Sequence, residues 1–198
     1  MKLHESLASA LRRSEGQENR FRDERHFFGD DANLTPAAVL IPITQRSEPG
    51  VILTQRPSNM RNHPGQVAFP GGKIDPEDID EIDAALREAE EELAIPRSHV
   101  EIIGAVDKYY SGSGFAITPV LGIIPPDLPL VPNPGEVDSW FEVPLDYILN
   151  PSNLIEKSAV WQGRNRSYYE IMWNERRIWG VTAGIISNLA ARLESSHA

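Results

Sequence analysis

Apolar and polar residues alternate with two different periods along this chain, and the changes of period predict an α/β fold. Apolar positions recur every three to four residues at 82–93 and 181–193, and a shorter pattern of this kind lies at 1–13. These three segments are predicted helices. Short β-rich runs predict strands at residues 37–43, 51–55, 66–69, 100–106, 116–124, 140–143, 158–162, 167–173 and 177–179. Strands interleaved with two substantial helices indicate a mixed β-sheet covered by helices.

Polar and proline-rich stretches separate these elements. Residues 14–33 form a charged connector, and the small residues of 107–115 predict a mobile loop that can line a pocket. Residues 125–136 contain repeated prolines, which cannot join a central strand ladder, and predict a surface loop. We therefore predict a helix and connector at residues 1–33, belonging to the same domain as a single unit at residues 34–198.

Composition narrows the possible functions. The 198 residues include 40% hydrophobic residues, which is enough for one domain with a real core. A formal charge of −10 argues against sequence-independent nucleic-acid binding and fits poorly with a membrane surface. The absence of cysteine excludes disulfides and thiol catalysis. Because no apolar run approaches the roughly 20 residues of a membrane span, we predict a cytoplasmic protein without membrane or nucleic-acid partners.

The helix predicted at 82–93 carries the main candidate chemistry. Its period places Glu88, Glu91 and Glu92 on one face, beside the apolar arc. Such a run is more often a solvated face, but three repelling carboxylates also suit a hard cation such as Mg²⁺ or Mn²⁺. Arg87 precedes Glu91 by four residues, the spacing at which an ion pair holds a carboxylate in one rotamer.

The residues before this helix favour the metal interpretation. Gly71 and Gly72 end an apolar stretch, and two successive glycines let a backbone turn sharply and approach a ligand closely. Asp75, Pro76 and Asp78 then provide a turn and a helix-start signal. We predict that both glycines contact a substrate.

This arrangement resembles the signature of the Nudix hydrolases, a glycine followed by an acid and then by Arg-Glu-x-x-Glu-Glu. The matching residues here are Gly72, Asp78, Arg87, Glu88, Glu91 and Glu92. Three positions depart from the pattern: Asp78 stands for Glu, eight residues instead of seven precede Arg87, and Ala94 stands for the closing Gly.

A second resemblance, upstream, is to the motif of the coenzyme A pyrophosphatases within that family. Its positions are matched by Leu53, Thr54, Arg56, Arg61, Gly65, Phe69, Pro70, Gly71 and Gly72. Ile52 and Pro57 depart from it. Arg56 and Arg61 are permanently charged forks suited to phosphate, so we predict that they bind the substrate, although a lone surface arginine usually makes only a weak ion pair.

The resemblance implies the Nudix α/β/α sandwich and hydrolysis of the pyrophosphate bond of coenzyme A or its thioesters. It assigns Glu88 and Glu92 as metal ligands, Glu91 as a further ligand or the base that activates water, and Arg87 as its catalytic partner. Residues 73–95 do not distinguish this substrate from other nucleoside diphosphate derivatives, such as ADP-ribose. A non-catalytic nucleotide-binding module is a further alternative, and homodimers are common in this fold.

Residues outside the two motifs give weaker signals. Glu136 and Asp138 could supply a remote carboxylate, although loop composition favours a surface position for both. Tyr109, Tyr110 and Phe115 could stack on adenine, although aromatic residues near strands more often pack. We assign the remaining aromatic candidates to packing: Trp161, Trp173 and Trp179.

Overall fold

The computed structural model describes residues 3–13, 33–60, 63–161 and 164–194. The helices are α1 (Leu3–Arg13), α2 (Glu81–Leu93), α3 (Leu145–Leu149) and α4 (Val181–Glu194). The strands are β1 (Thr35–Thr44), β2 (Gly50–Gln55), β3 (Val67–Ala68), β4 (Gly71–Lys73), β5 (Glu101–Ala105), β6 (Tyr109–Ser111), β7 (Phe115–Ile124), β8 (Ser139–Pro144), β9 (Ile155–Trp161), β10 (Arg164–Trp173) and β11 (Arg176–Trp179). Among the described helices, none is long and apolar enough to cross a membrane.

The centre of the main sheet is the parallel pair β1 and β7. The two strands pair from Thr35 opposite Phe115 to Thr44 opposite Ile124. Both are nearly continuous apolar runs because both faces of each strand are covered. β5 pairs antiparallel with β7, while β2 lies between β8 and the strands β1 and β3. The predicted mixed sheet is confirmed.

Helices cover the two faces of this sheet. Leu40 and Ile41 are adjacent on β1 and almost fully buried, yet they belong to separate core clusters. The cluster of Leu40 contains Leu93 of α2, and the cluster of Ile41 contains Leu189 of α4. Strand alternation therefore sends successive side chains into two layers, which is the predicted α/β/α arrangement.

A second sheet extends the layer that contains α4. β9, β10 and β11 form an antiparallel three-stranded sheet, with β10 in the middle. Ile171 and Ile178 lie opposite each other on β10 and β11 and are fully buried in the core cluster around α4. This face anchors the second sheet to the rest of the molecule.

The stretch 107–115 differs from the predicted loop because it contains β6. Tyr109 to Ser111 pair antiparallel with Phe115 to Ile117 of β7. The turn between them uses Gly114 at a φ of 88°, a conformation that glycine adopts without a Cβ clash. The small residues therefore form the tip of a hairpin.

Candidate active site

Two glycines place the chain directly beside the acidic helix. Gly71 and Gly72 lie on β4, which pairs with Val39 and Ala38 of β1. A Cβ at Gly71 would overlap the carbonyl oxygen of Ala38, and a Cβ at Gly72 would overlap the carboxylate of Glu88. Both positions therefore require glycine for close packing, and Gly72 leaves room for an acidic side chain.

Helix α2 is fixed at both ends. The side chain of Asp80 accepts a hydrogen bond of 2.8 Å from the backbone N–H of Asp83, which is a standard N-cap. At the other end Ala94 adopts a left-handed conformation, with a φ of 55°. Its N–H donates to the carbonyl of Glu90, so the helix ends as it would with glycine there. Alanine thus adopts the left-handed helix end that the family pattern gives to glycine.

Three carboxylates converge next to Gly72. Ligand atoms of Glu88, Glu92 and Glu136 all lie within 4.8 Å of one another. Glu92 is only 4% exposed, and one of its carboxylate oxygens has no hydrogen-bond partner among the described residues. Glu91 is exposed and lies outside this group.

The proline-rich loop supplies Glu136. The N–H of Asn133 donates to the carbonyl of Glu92 at 2.8 Å, which ties the loop to the end of α2. The N–H of Glu136 donates to the carbonyl of Asn133 at 3.0 Å, which closes a turn. Loop composition favoured a surface position for Glu136, but these bonds bring it to the acidic helix. Asp138 is exposed, as predicted.

The electrostatics of these acids favour a bound cation. Burial, followed by repulsion from Glu88 and Glu136, raises the pKa of Glu92 to about 8. Burial also raises the pKa of Glu88, although Arg87 opposes this shift. A buried oxygen without a partner among like charges is costly unless a cation compensates it. An all-oxygen ligand set of this kind suits a hard divalent ion.

Arg87 organises the turn before the helix. Its guanidinium donates two bonds of 2.9 Å to the two oxygens of Asp78, in a bidentate pair. It also donates to Glu88 at 2.9 Å and to Glu91 at 3.2 Å, the latter as the predicted pair four residues apart. Through this hydrogen bond the pKa of Asp78 is lowered. An aspartate therefore serves as the arginine's partner where the family pattern has glutamate.

Arg56 lies close enough to the acidic cluster for its charge to act on Glu92. It follows β2, and its backbone N–H donates to the carbonyl of Gln66 at 3.0 Å. The positive charge of Arg56 lowers the pKa of Glu92, against the larger effect of burial. Its Nε is buried without a hydrogen-bond partner in the described part of the chain. The second predicted substrate arginine, Arg61, lies outside the described residues.

Most of the predicted aromatic candidates pack elsewhere. Tyr109 is buried and its ring abuts Gly184 of α4, and Phe115 packs against the same core cluster. Trp173 pairs with Tyr147 at 4.7 Å between ring centroids, as its packing assignment predicts. The side chain of Trp161 lies outside the described residues.

Comparisons with known proteins agree with this geometry. Residues 34–162 match the family model of the NUDIX domain. The chain is 47% identical over 161 residues to a protein of Escherichia coli K12 named as an uncharacterized Nudix hydrolase, NudL; the match covers 81% of this chain and 84% of that protein. The NudL protein of Shigella boydii serotype 4 matches to the same extent.

Solved structures of lower identity also resemble it. A Caenorhabditis elegans Ap4A hydrolase in a binary complex is 21% identical, with a TM-score of 0.48, over 57% of this chain and 82% of that one. The NUDIX domain of Shewanella oneidensis NrtR, in complex with ADP ribose, is 21% identical, with a TM-score of 0.45, over 65% and 81% of the two chains.

Proposed function

This chain belongs to the Nudix hydrolase family, and we propose that its substrate is coenzyme A or a thioester of it. Hydrolysis of the pyrophosphate bond gives 3′,5′-ADP and 4′-phosphopantetheine or its acyl derivative. The observation that carries the proposal is the upstream motif ending at Gly72. Its arginine, Arg56, faces the acidic cluster, where a diphosphate bound next to the carboxylates meets a cation.

The acidic residues divide into a buried group and an exposed one. Glu88, Glu92 and Glu136 would hold a divalent cation, Mg²⁺ or Mn²⁺, which would supply positive charge against the diphosphate. Glu91 is the further ligand or the base that orients and deprotonates the attacking water. Its hydrogen bond from Arg87 at 3.2 Å holds the carboxylate of Glu91 in one orientation on α2, next to Glu88 and Glu92 in the sequence.

Two glycines and two arginines are proposed to contact the diphosphate of the substrate. Gly71 and Gly72 let the diphosphate approach the backbone, and Arg56 neutralises phosphate charge beside the acidic cluster. We assign Arg61 to the same role because of its motif position.

A cytoplasmic location and a homodimer stay predictions.

The decisive experiment is identification of products by mass spectrometry. The protein is incubated separately with coenzyme A and with ADP-ribose, with Mg²⁺ or Mn²⁺ and then with a chelator. Metal-dependent release of 3′,5′-ADP from coenzyme A is the expected result. Cleavage of ADP-ribose alone would assign the enzyme to another nucleoside diphosphate derivative and would leave the upstream motif without its proposed role.

A further inference from the structure

One large aromatic side chain is partly exposed and, among the described residues, has no ring partner. Trp140 lies on β8 and is 37% exposed. Trp179 has the same exposure but its ring is engaged, by Tyr168 at 6.0 Å and by the guanidinium of Arg177 at 4.8 Å. Among the described residues, no ring pair or cation–π contact involves Trp140. Part of its indole is therefore exposed and is not paired with another described ring or guanidinium.

Strand register places Trp140 on the same side of the sheet as the acidic helix. Trp140 lies opposite Thr54 of β2, and Ile52, two residues before Thr54, packs in the core cluster that contains α2. The neighbours of Trp140 on β8 point the other way: Phe141 packs against the opposite cluster and carries the guanidinium of Arg176 at 4.3 Å. Alternation along β8 therefore turns Trp140 towards the face on which the carboxylates converge.

Arg56 lies at the same end of the β2–β8 pair as Trp140. The two strands pair as far as Gln55 opposite Ser139, with Thr54 opposite Trp140, and Arg56 follows Gln55 directly. The N–H of Asp138 donates to the carbonyl of Gln55 at 2.9 Å, which holds the two chain segments together beyond the ladder. The charge of Arg56 acts on Glu92, so a cation suited to phosphate lies at the acidic cluster, and the neighbouring strand presents a partly exposed indole on the side of the sheet that α2 covers.

From this arrangement we infer that Trp140 is the platform on which the adenine base of the substrate stacks while Arg56 contacts its phosphate. The inference rests on the proposed function, since it requires an adenine nucleotide at the acidic cluster. An indole is a large, rigid surface with a π face, and such surfaces bind bases by stacking. Of the three rings predicted from the sequence to stack on adenine, Tyr109 and Phe115 pack in or against the core cluster on the other face, so Trp140 takes this role in their place. Tyr110, the third, is not in that cluster and stays a candidate beside Trp140.

Equilibrium binding separates the base from the phosphates. ADP and methylenediphosphonate, a diphosphate analogue without base or ribose, are titrated in the presence of Mg²⁺ into wild type and the variants Trp140→Leu and Trp140→Phe. Leu keeps an apolar side chain without a ring, so Trp140→Leu weakens ADP about tenfold, while methylenediphosphonate binds as to wild type. Trp140→Phe restores most of the affinity for ADP. The matched control Trp179→Leu, at equal exposure in the second sheet, leaves both affinities unchanged.

Two results would overturn the inference. Unchanged ADP affinity in Trp140→Leu shows that the base does not contact the indole. Equal weakening of ADP and methylenediphosphonate shows that Trp140 supports the site only structurally. Hydrolysis of coenzyme A is measured separately. If ADP binding depends on Trp140 but the protein does not cleave coenzyme A, the proposed substrate is rejected and the stacking role is supported. With active protein, Trp140→Leu raises KM and leaves kcat unchanged.

Discussion

Two buried glutamates, one on α2 and one in the second sheet, occupy opposite electrostatic environments. Glu170 on β10 is 9% exposed and pairs with Arg177 at 2.5 Å, with Lys157 at 3.9 Å. Glu92 is 4% exposed, has an oxygen without a partner, and lies next to two further acids. The charge of Glu170 is compensated by cations within the fold. The charge of Glu92 has too few hydrogen bonds and cations around it.

The difference separates structural acids from functional ones better than acidity or burial alone. A paired buried carboxylate contributes modestly to stability and needs no ligand to compensate its charge. Carboxylates that outnumber the cations beside them cost stability unless a ligand binds, so a group of this kind indicates a binding or catalytic site. The region around Glu92 has this character, and the region around Glu170 does not.

Removing a carboxylate from the uncompensated group has the largest expected effect. Glu88→Gln keeps the size of the side chain but removes a charged ligand, so kcat/KM falls by at least about a hundredfold. The circular dichroism spectrum stays that of wild type. The matched control is Glu90→Gln on the exposed side of α2, which retains activity. Wild-type activity in Glu88→Gln would show that the acidic group does not hold the catalytic metal.

The raised pKa of Glu92 predicts how the free energy of unfolding depends on pH. Its pKa is raised to about 8 in the folded protein, so the folded state binds more protons than the unfolded state between the ordinary pKa of glutamate and that value. Without metal, the free energy of unfolding therefore falls as pH rises from about 4.5 to about 8, by a few kcal/mol. Glu92→Gln removes most of this slope.

Thermal unfolding across this range, in chelator and then with Mg²⁺, checks both statements. In wild type the metal restores stability at the alkaline end, because the cation replaces the missing compensation. A slope that is identical in wild type and Glu92→Gln would mean that Glu92 does not titrate at raised pH.

The sequence predicted one half of the acidic group and not the other. Glu88 and Glu92 lie four residues apart on a helix, so local periodicity alone places them on one face. Glu136 joins them from a loop more than forty residues away, through the bond from Asn133 to the end of α2. That contact is tertiary and leaves no periodic signal.

The same limit applies to the aromatic residues. The strand that contains Trp140 was predicted, and the strand that contains Tyr109 was not, but in both cases burial of the ring depends on which strand lies beside it. Tyr109 faces α4, where Gly184 makes room for its ring. Trp140 lies on an edge strand beside β2. Strand order, which decides this, follows from the pairing of the whole sheet and not from either segment.

A smaller change in stability is expected from the backbone conformations in the two regions. Ala94, after α2, and Asn174, in the turn between β10 and β11, both have left-handed conformations, with φ of 55° and 52°. Alanine is strained there, whereas asparagine tolerates this region. Ala94→Gly therefore raises the free energy of unfolding by about 0.5–1 kcal/mol, after the greater freedom of glycine in the unfolded chain is counted. Asn174→Gly is the control, and chemical denaturation should show no gain for it.

The smallest expected effect tests the compensated glutamate. Glu170→Gln weakens the pair with Arg177, whose side chain is 45% exposed, so the free energy of unfolding falls by about 1 kcal/mol or less. The sign is opposite to that of Glu92→Gln in chelator near pH 8, where removal of the unpaired charge stabilises the fold. Denaturation of both variants in the same buffer measures the contrast. Equal signs would mean that missing compensation does not distinguish the acidic cluster from an ordinary buried ion pair.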